Sequence, residues 1–213
     1  MKKILSKIIE LIGRFFGFLF SPFNHHSLSF ILYTFHYSFI TALYKYRFKE
    51  FGKNSKLISA PDELRLCDYI KIGNDCRLGR HLLLRCYKIA EKEPELKIGS
   101  LVNIGDYSTI SCCNQIVIEN GVRTGRMVMI TDNAHGHTDS IEELDISPIM
   151  RPLVSKGPVI IKKNVWIGEK VSIMPGVTIG EGSIIAANAV VTKSIPPFCI
   201  AGGCPAKVIK IIR

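Results

Sequence analysis

The chain has 213 residues, 47% hydrophobic and 22% charged, which excludes global disorder and fits one large domain or one domain with an appendage. Its formal net charge of +10 is concentrated in residues 1–56, where nine Lys/Arg face two Glu. That charge flanks apolar helical patterns rather than a folded aromatic face, which points away from nucleic acid and toward an anionic membrane surface.

"MKKILSKIIELIGRFFGFLF" spaces Lys3, Lys7, Glu10 and Arg14 at three to four residues, with Ile4, Ile8, Ile12, Phe15 and Leu19 between them. This pattern predicts an amphipathic helix. Charges interrupt the apolar run and no small-residue cleavage site follows, so it is not a signal peptide. Pro22 in "SPFNHHS" predicts a break. Residues 27–44 contain no Lys, Arg, Asp or Glu, yet are short and rich in Ser, Thr, Tyr and His for a membrane span. Two readings stand side by side. The segment is a helical pair packed on the main domain or a neighbouring subunit, or residues 1–50 make a peripheral contact with the inner face of the cytoplasmic membrane.

From Ile161 the chain takes a period of six: Ile161, Ile167, Ile173, Ile179, Ile185 and Val191. Val165, Val171, Val177, Ser183, Ala189 and Ile195 follow four residues after each. A hexad is too short for a helical repeat and fits short strands separated by corners, three hexads making one triangular coil. Gly168 and Gly180 are expected at the tight corners, where backbone angles are unusual. The period recurs in other phases at Ile98–Ile116, at Ile118–Ile130 and at Ile72 and Leu78, and the phase breaks predict loops at 79–97 and 131–158. "KVIKIIR" predicts a short C-terminal cap. The predicted organisation is a helical segment at 1–56 and a mainly β domain of stacked coils at 57–213. Seven cysteines without CxxC or metal-ligand spacing read as reduced, buried thiols of a cytosolic protein.

The stretch "NVWIGEKVSIMPGVTIGEGSIIAANAVVTKSIPPFCIAGGCPAKVIK", with "DNAHG" and "RPLVSKGPV" before it, resembles the hexapeptide-repeat acyltransferases. It is most similar to galactoside and maltose O-acetyltransferases and to O-acetyltransferases of bacterial surface polysaccharides. The resemblance covers about residues 98–210. It implies a left-handed parallel β-helix, an exception to the right-handed crossover rule. It also implies a homotrimer and acetyl-CoA bound between neighbouring coils.

Moving an acetyl group from a thioester to a hydroxyl needs a base and donors for the developing oxyanion, without a metal. Aligned without a gap from Ile118, the resemblance places His135 of "TDNAHGHTDS" on the family's catalytic histidine. His137 has no such match and is either a loop histidine or an acceptor contact. Asp132, Asp139 or a backbone carbonyl would orient the base. Asn114, Arg151 and Lys156 are expected near an acidic or phosphorylated acceptor. On the donor side the resemblance points to Trp166, the backbone around Ala187, Thr192 and Lys193, and Lys207 and Lys210 near the nucleotide phosphates. Taken singly, each of these lysines would be a solvated charge. Cys204 departs from the Asn or Val common at its position. Glu169 stands where galactoside enzymes carry Ser and adds negative charge beside the donor.

These residues predict an acetyl-CoA-dependent O-acetyltransferase acting on a sugar hydroxyl in surface polysaccharide or glycan biosynthesis, with a carbohydrate acceptor and no nucleic-acid partner. The rivals are an N-acetyltransferase of an amino-sugar nucleotide, a non-catalytic membrane-associated scaffold, and a zinc-dependent β-helical hydratase, which needs three gathered histidines; the spacing of His81, His135 and His137 in the coil region does not resemble that family's.

Overall fold

In the computed structural model, which describes residues 2–20, 25–89, 92–137 and 141–213, the hexads form two- and three-residue strands around a triangular coil. Strands Val159–Ile161, Trp166–Ile167 and Ser172–Ile173 make one coil. Thr178–Ile179, Ile184–Ile185 and Val190–Val191 stack on it in parallel, with Ile161 over Ile179, Ile167 over Ile185 and Ile173 over Val191. The coils give a first sheet of six strands, a second of eight and a third of six. The whole is a left-handed parallel β-helix.

The repeat folds this way because its two apolar positions both point to the axis. Ile161, Ile167, Ile173, Ile179, Ile185 and Val191 are fully buried, as are Val165, Val171, Val177 and Ala189. Each such side chain stabilises the stack by about 1.5–3 kcal/mol relative to an exposed one. Leu78, Leu84, Cys86, Ile104, Cys112, Ile118 and Ile130 continue the same axis upstream.

The glycine expectation needs correction. Left-handed backbone falls instead on Asn164, Lys170, Gly176, Gly182 and Asn188, themselves spaced by six. Gly168 and Gly180 are required for a different reason. A Cβ on Gly168 would lie 2.6 Å from the Ala187 nitrogen, and one on Gly180 would lie 2.3 Å from the Pro197 nitrogen. Coils stacked about 4.8 Å apart leave no room there for a side chain.

The coil also starts earlier than the division at 56/57. Strand Glu50–Phe51 pairs in parallel with Ile70–Ile72, and Phe48 is buried beneath it. Within 79–97 the chain still forms a strand, Leu83–Cys86, whose inward Leu84 and Cys86 carry no Ile/Val signal. The coil resumes with strand Glu95–Ile98. The 131–158 excursion is real and holds the antiparallel pair Asn133–His135 and Leu153–Ser155.

Helix α1 spans Lys2–Phe20 and helix α2 spans His25–Tyr44; the predicted break at Pro22 lies outside the described residues. The C-terminal end of α2 packs on the first coil through Ile40 and Tyr44. The Thr41 hydroxyl accepts the Leu57 N–H at 2.9 Å. Helix α1 exposes Ile8, Ile9, Leu11, Ile12, Phe15 and Phe16. Among the described residues, no helix is long and apolar enough to cross a membrane.

Candidate functional site

The long excursion is anchored where it leaves the third sheet. Asp132 follows strand Met129–Thr131 and is completely buried. One carboxyl oxygen accepts the Cys113 N–H at 2.8 Å and the Asn133 side-chain amide at 3.1 Å. The other accepts the Asn114 N–H at 2.8 Å. A carboxylate holding several N–H donors at these distances is a strong clamp. It fixes the root of the hairpin to the coil below. The Asn114 side chain adds a bond to the Ser155 hydroxyl at 3.3 Å, so Asn114 braces the hairpin.

His135 ends the outgoing strand opposite Leu153, with its ring exposed. Asp132 is committed to the amides below and is not bonded to His135; Asp139 lies outside the described residues. Directly after it the chain turns through Gly136, whose φ of +77 and crowded surroundings (a Cβ would lie 2.8 Å from the Arg151 Cδ) admit no other residue. The Gly136 N–H donates to the Pro152 carbonyl at 2.8 Å.

His137 and Arg151 are both engaged within the loop itself. The backbone N–H of His137 and its Nδ1, at 3.0 Å, both meet the Glu143 carboxylate. That pairing holds the Glu143 carboxyl below the ordinary carboxylate range. The Arg151 guanidinium donates to the carbonyls of Ile146 at 2.9 Å and Leu144 at 3.0 Å. It thereby satisfies the C-terminal end of the short helix α3, Ile141–Leu144. Glu143, which carries no motif signal, ties the outgoing arm of the loop to α3.

His81 lies elsewhere, 3.1 Å from Asp62 and stacked on the Tyr107 ring. Among the described residues no three His, Cys, Asp or Glu side chains gather as metal ligands.

The second feature is a groove of about 1110 Å³ on the second sheet, lined by Trp166, Ala187, Glu169, Arg77, Arg123 and Arg126 among others. Trp166 is the sole tryptophan and is 55% exposed in it. By register Ile184, Ile200 and Lys210 continue the line beyond Trp166, and Lys207 stands on the same strand as Lys210. The face thus collects Trp166, Ala187, Lys207 and Lys210. Thr192 and Lys193 are not brought to it, because they follow Val190–Val191 at the far corner of the third sheet. Glu169 does line the groove, so its negative charge stands beside Trp166. Arg77, Arg123 and Arg126 were not foreseen; their neighbourhood depends on strand register across unequal coil lengths.

Comparison with known proteins bears on this geometry. The family described as bacterial transferase hexapeptide (six repeats) matches residues 158–193. The Escherichia coli (strain K12) protein named "Putative lipopolysaccharide biosynthesis O-acetyl transferase WbbJ" is 33% identical over 163 residues, 75% of this chain and 81% of that one. Two solved structures share the fold. AntD, an N-acyltransferase from Bacillus cereus solved with dTDP and coenzyme A, is 24% identical with a TM-score of 0.66, covering 81% of this chain and 88% of its own. The hexapeptide-repeat acetyltransferase VCA0836 from Vibrio cholerae, solved with acetyl coenzyme A, is 22% identical with a TM-score of 0.53, covering 81% and 75%.

Proposed function

The chain belongs to the bacterial hexapeptide-repeat transferases and is an acetyltransferase with acetyl-CoA as donor, and on that premise we propose that it acetylates a sugar hydroxyl in surface polysaccharide or glycan biosynthesis, with His135 as general base. The observation that carries the proposal is the presentation of His135. The longest departure from the repeat is clamped at its root by Asp132 and stiffened by Glu143 and Arg151; His137 is tied to Glu143, whereas the exposed His135 imidazole has no hydrogen-bond partner among the described residues. Neutral imidazole suits proton abstraction near neutral pH.

In the reaction the acceptor oxygen bonds to the acetyl carbon as its proton passes to His135. The carbon–sulfur bond breaks, and the proton is returned to the departing thiolate. The donor lies along the second-sheet groove, with Trp166 and the bare backbone at Gly168 and Ala187 toward the thioester end and Lys207 and Lys210 toward the phosphates. Small residues suit that path because they let a ligand approach the backbone closely.

The working unit is a homotrimer. The hairpin leaves at the end of the third sheet, whereas the groove lies on the second. A neighbouring copy would carry its imidazole to this chain's groove, and would bring Thr192 and Lys193 into range of the donor. Residues 1–50 hold the assembly at the inner face of the cytoplasmic membrane, supported by the apolar face of α1 and the basic excess around it.

His135→Ala tests the assignment: transfer should vanish while acetyl-CoA binding is retained. A variant that keeps wild-type turnover sinks it. Turnover confined to amino sugars and rising with pH would move the reading to N-acetylation.

A further inference from the structure

The outward side chains of the second sheet stand in one file. Lys56 is beside Arg77, Arg77 beside Asn103, Asn103 beside Arg123, and Arg123 beside Trp166. With strands about 4.8 Å apart, Arg77 stands about 14 Å and Lys56 about 19 Å from Trp166 along the face. Among the described residues, the Arg77 and Arg123 guanidiniums make no ion pair or hydrogen bond. One carboxylate, Asp75, lines the same cavity as Lys56 and Arg77, so two cations face one anion there. Asp75 accepts from Asn54, Asp106 accepts the Arg80 N–H, and Glu169 stands at the Trp166 end.

Past Lys56 the file runs into α2. Phe30, Tyr33 and Tyr37 line a cavity of about 460 Å³ together with Lys56 and Arg77. The Lys56 ammonium lies 4.9 Å over the Tyr37 ring. Phe30 is 68% exposed, and residues 27–44 carry no charged side chain. A ligand lying along this face therefore meets Trp166 at the donor end, then Arg123 and the Asn103 amide, then the paired positions of Arg77 and Lys56, then an aromatic surface. That order is the order of parts in an anionic glycolipid.

We infer that the acceptor is a saccharide carried on a lipid diphosphate. The diphosphate sits on Lys56 and Arg77, the hydrocarbon lies on Phe30, Tyr33 and Tyr37, and the saccharide reaches past Asn103 and Arg123 toward Trp166. The inference rests on the proposed donor end at Trp166. A nucleoside diphosphate sugar shares the diphosphate but offers nothing to the aromatic surface, so the two sources can be separated.

Calorimetry on the full chain, with farnesyl diphosphate, UDP, inorganic diphosphate and acetyl-CoA as probes, provides the test. Farnesyl diphosphate should bind at least about tenfold more tightly than UDP or inorganic diphosphate. Arg77→Ala and Lys56→Ala should each weaken it by about tenfold, the loss of one charge-assisted contact. Phe30→Ser combined with Tyr33→Ser should weaken farnesyl diphosphate and leave inorganic diphosphate unchanged. Far-UV circular dichroism and Tm report that the coil is intact in each variant, and acetyl-CoA affinity in Lys56→Ala and in the Phe30/Tyr33 variant reports the donor end. Equal affinity for UDP and farnesyl diphosphate, or indifference to Arg77→Ala, overturns the lipid acceptor while acetyl-CoA binding leaves the donor assignment standing. Failure of the wild-type chain to bind acetyl-CoA overturns both.

Discussion

Replacing Asp132 with Ala removes the acceptor of two backbone N–H groups, that of buried Cys113 and that of half-buried Asn114. Each orphaned group costs about 1–3 kcal/mol, because no other acceptor is in place. The expected loss is about 4 kcal/mol. For a chain of this size that corresponds to a fall in Tm of roughly 8–16 °C. Asp132→Asn keeps one acceptor oxygen and should lose about half as much. Thermal unfolding followed by far-UV circular dichroism, at fixed protein concentration because a trimer's Tm depends on it, measures the difference. The acid limb of the pH–rate profile should stay where it is in Asp132→Asn, since the carboxyl holds the hairpin root and is not bonded to His135. A Tm loss below about 3 °C in Asp132→Ala would refute the clamp. A displaced acid limb would mean that Asp132 tunes the base after all.

Gly105→Ala should destabilise the chain by more than about 3 kcal/mol in urea unfolding, because the new Cβ would fall on the Gly125 backbone of the next coil. Native protein should titrate one thiol with a disulfide reagent and seven after denaturation, since only Cys204 is exposed and burial beside Asp132 pushes the Cys113 thiol up to about 12. Glu143→Gln should flatten the acid dependence of stability. Glu143 is held low by His137, so its contribution is present in full above the ordinary carboxylate value of about 4.3 and is lost as pH falls through the lowered folded-state value. A variant as acid-sensitive as the wild type would contradict that pairing. Ile12→Glu with Phe15→Glu should abolish flotation with phosphatidylglycerol vesicles and leave turnover on a soluble acceptor intact.

The axis of the β-helix is legible from Ile161 onward because Ile or Val fills the leading inward position of every hexad there. It fades upstream, where Leu84, Cys86 and Phe48 take those places and chemistry no longer marks the phase. Corners were misread for a physical reason. Left-handed backbone at Asn164, Lys170 and Asn188 is tolerated without glycine, while the glycines that do recur answer to the closeness of the next coil, a property of neighbours in space. The same limit applies to the site. His135 was visible through its motif, whereas the file from Lys56 to Trp166 joins residues whose separation along the chain changes at every step. Asp132 was visible as a carboxylate and invisible as a buried clamp, since its donors come from the coil before.

A parallel stack has two open ends, and each would offer a row of unpaired N–H and C=O groups to another copy. At one end a single hydroxyl, that of Thr41 on α2, occupies the backbone of Leu57. At the other the chain doubles back as Ala206–Ile211, antiparallel to Cys199–Gly203, and places Lys207 and Lys210 on the outermost strand. Reversed strand direction and positive charge make that strand a poor template for a further coil. These terminal segments therefore limit growth, keeping a self-complementary cylinder from extending end to end into a fibre.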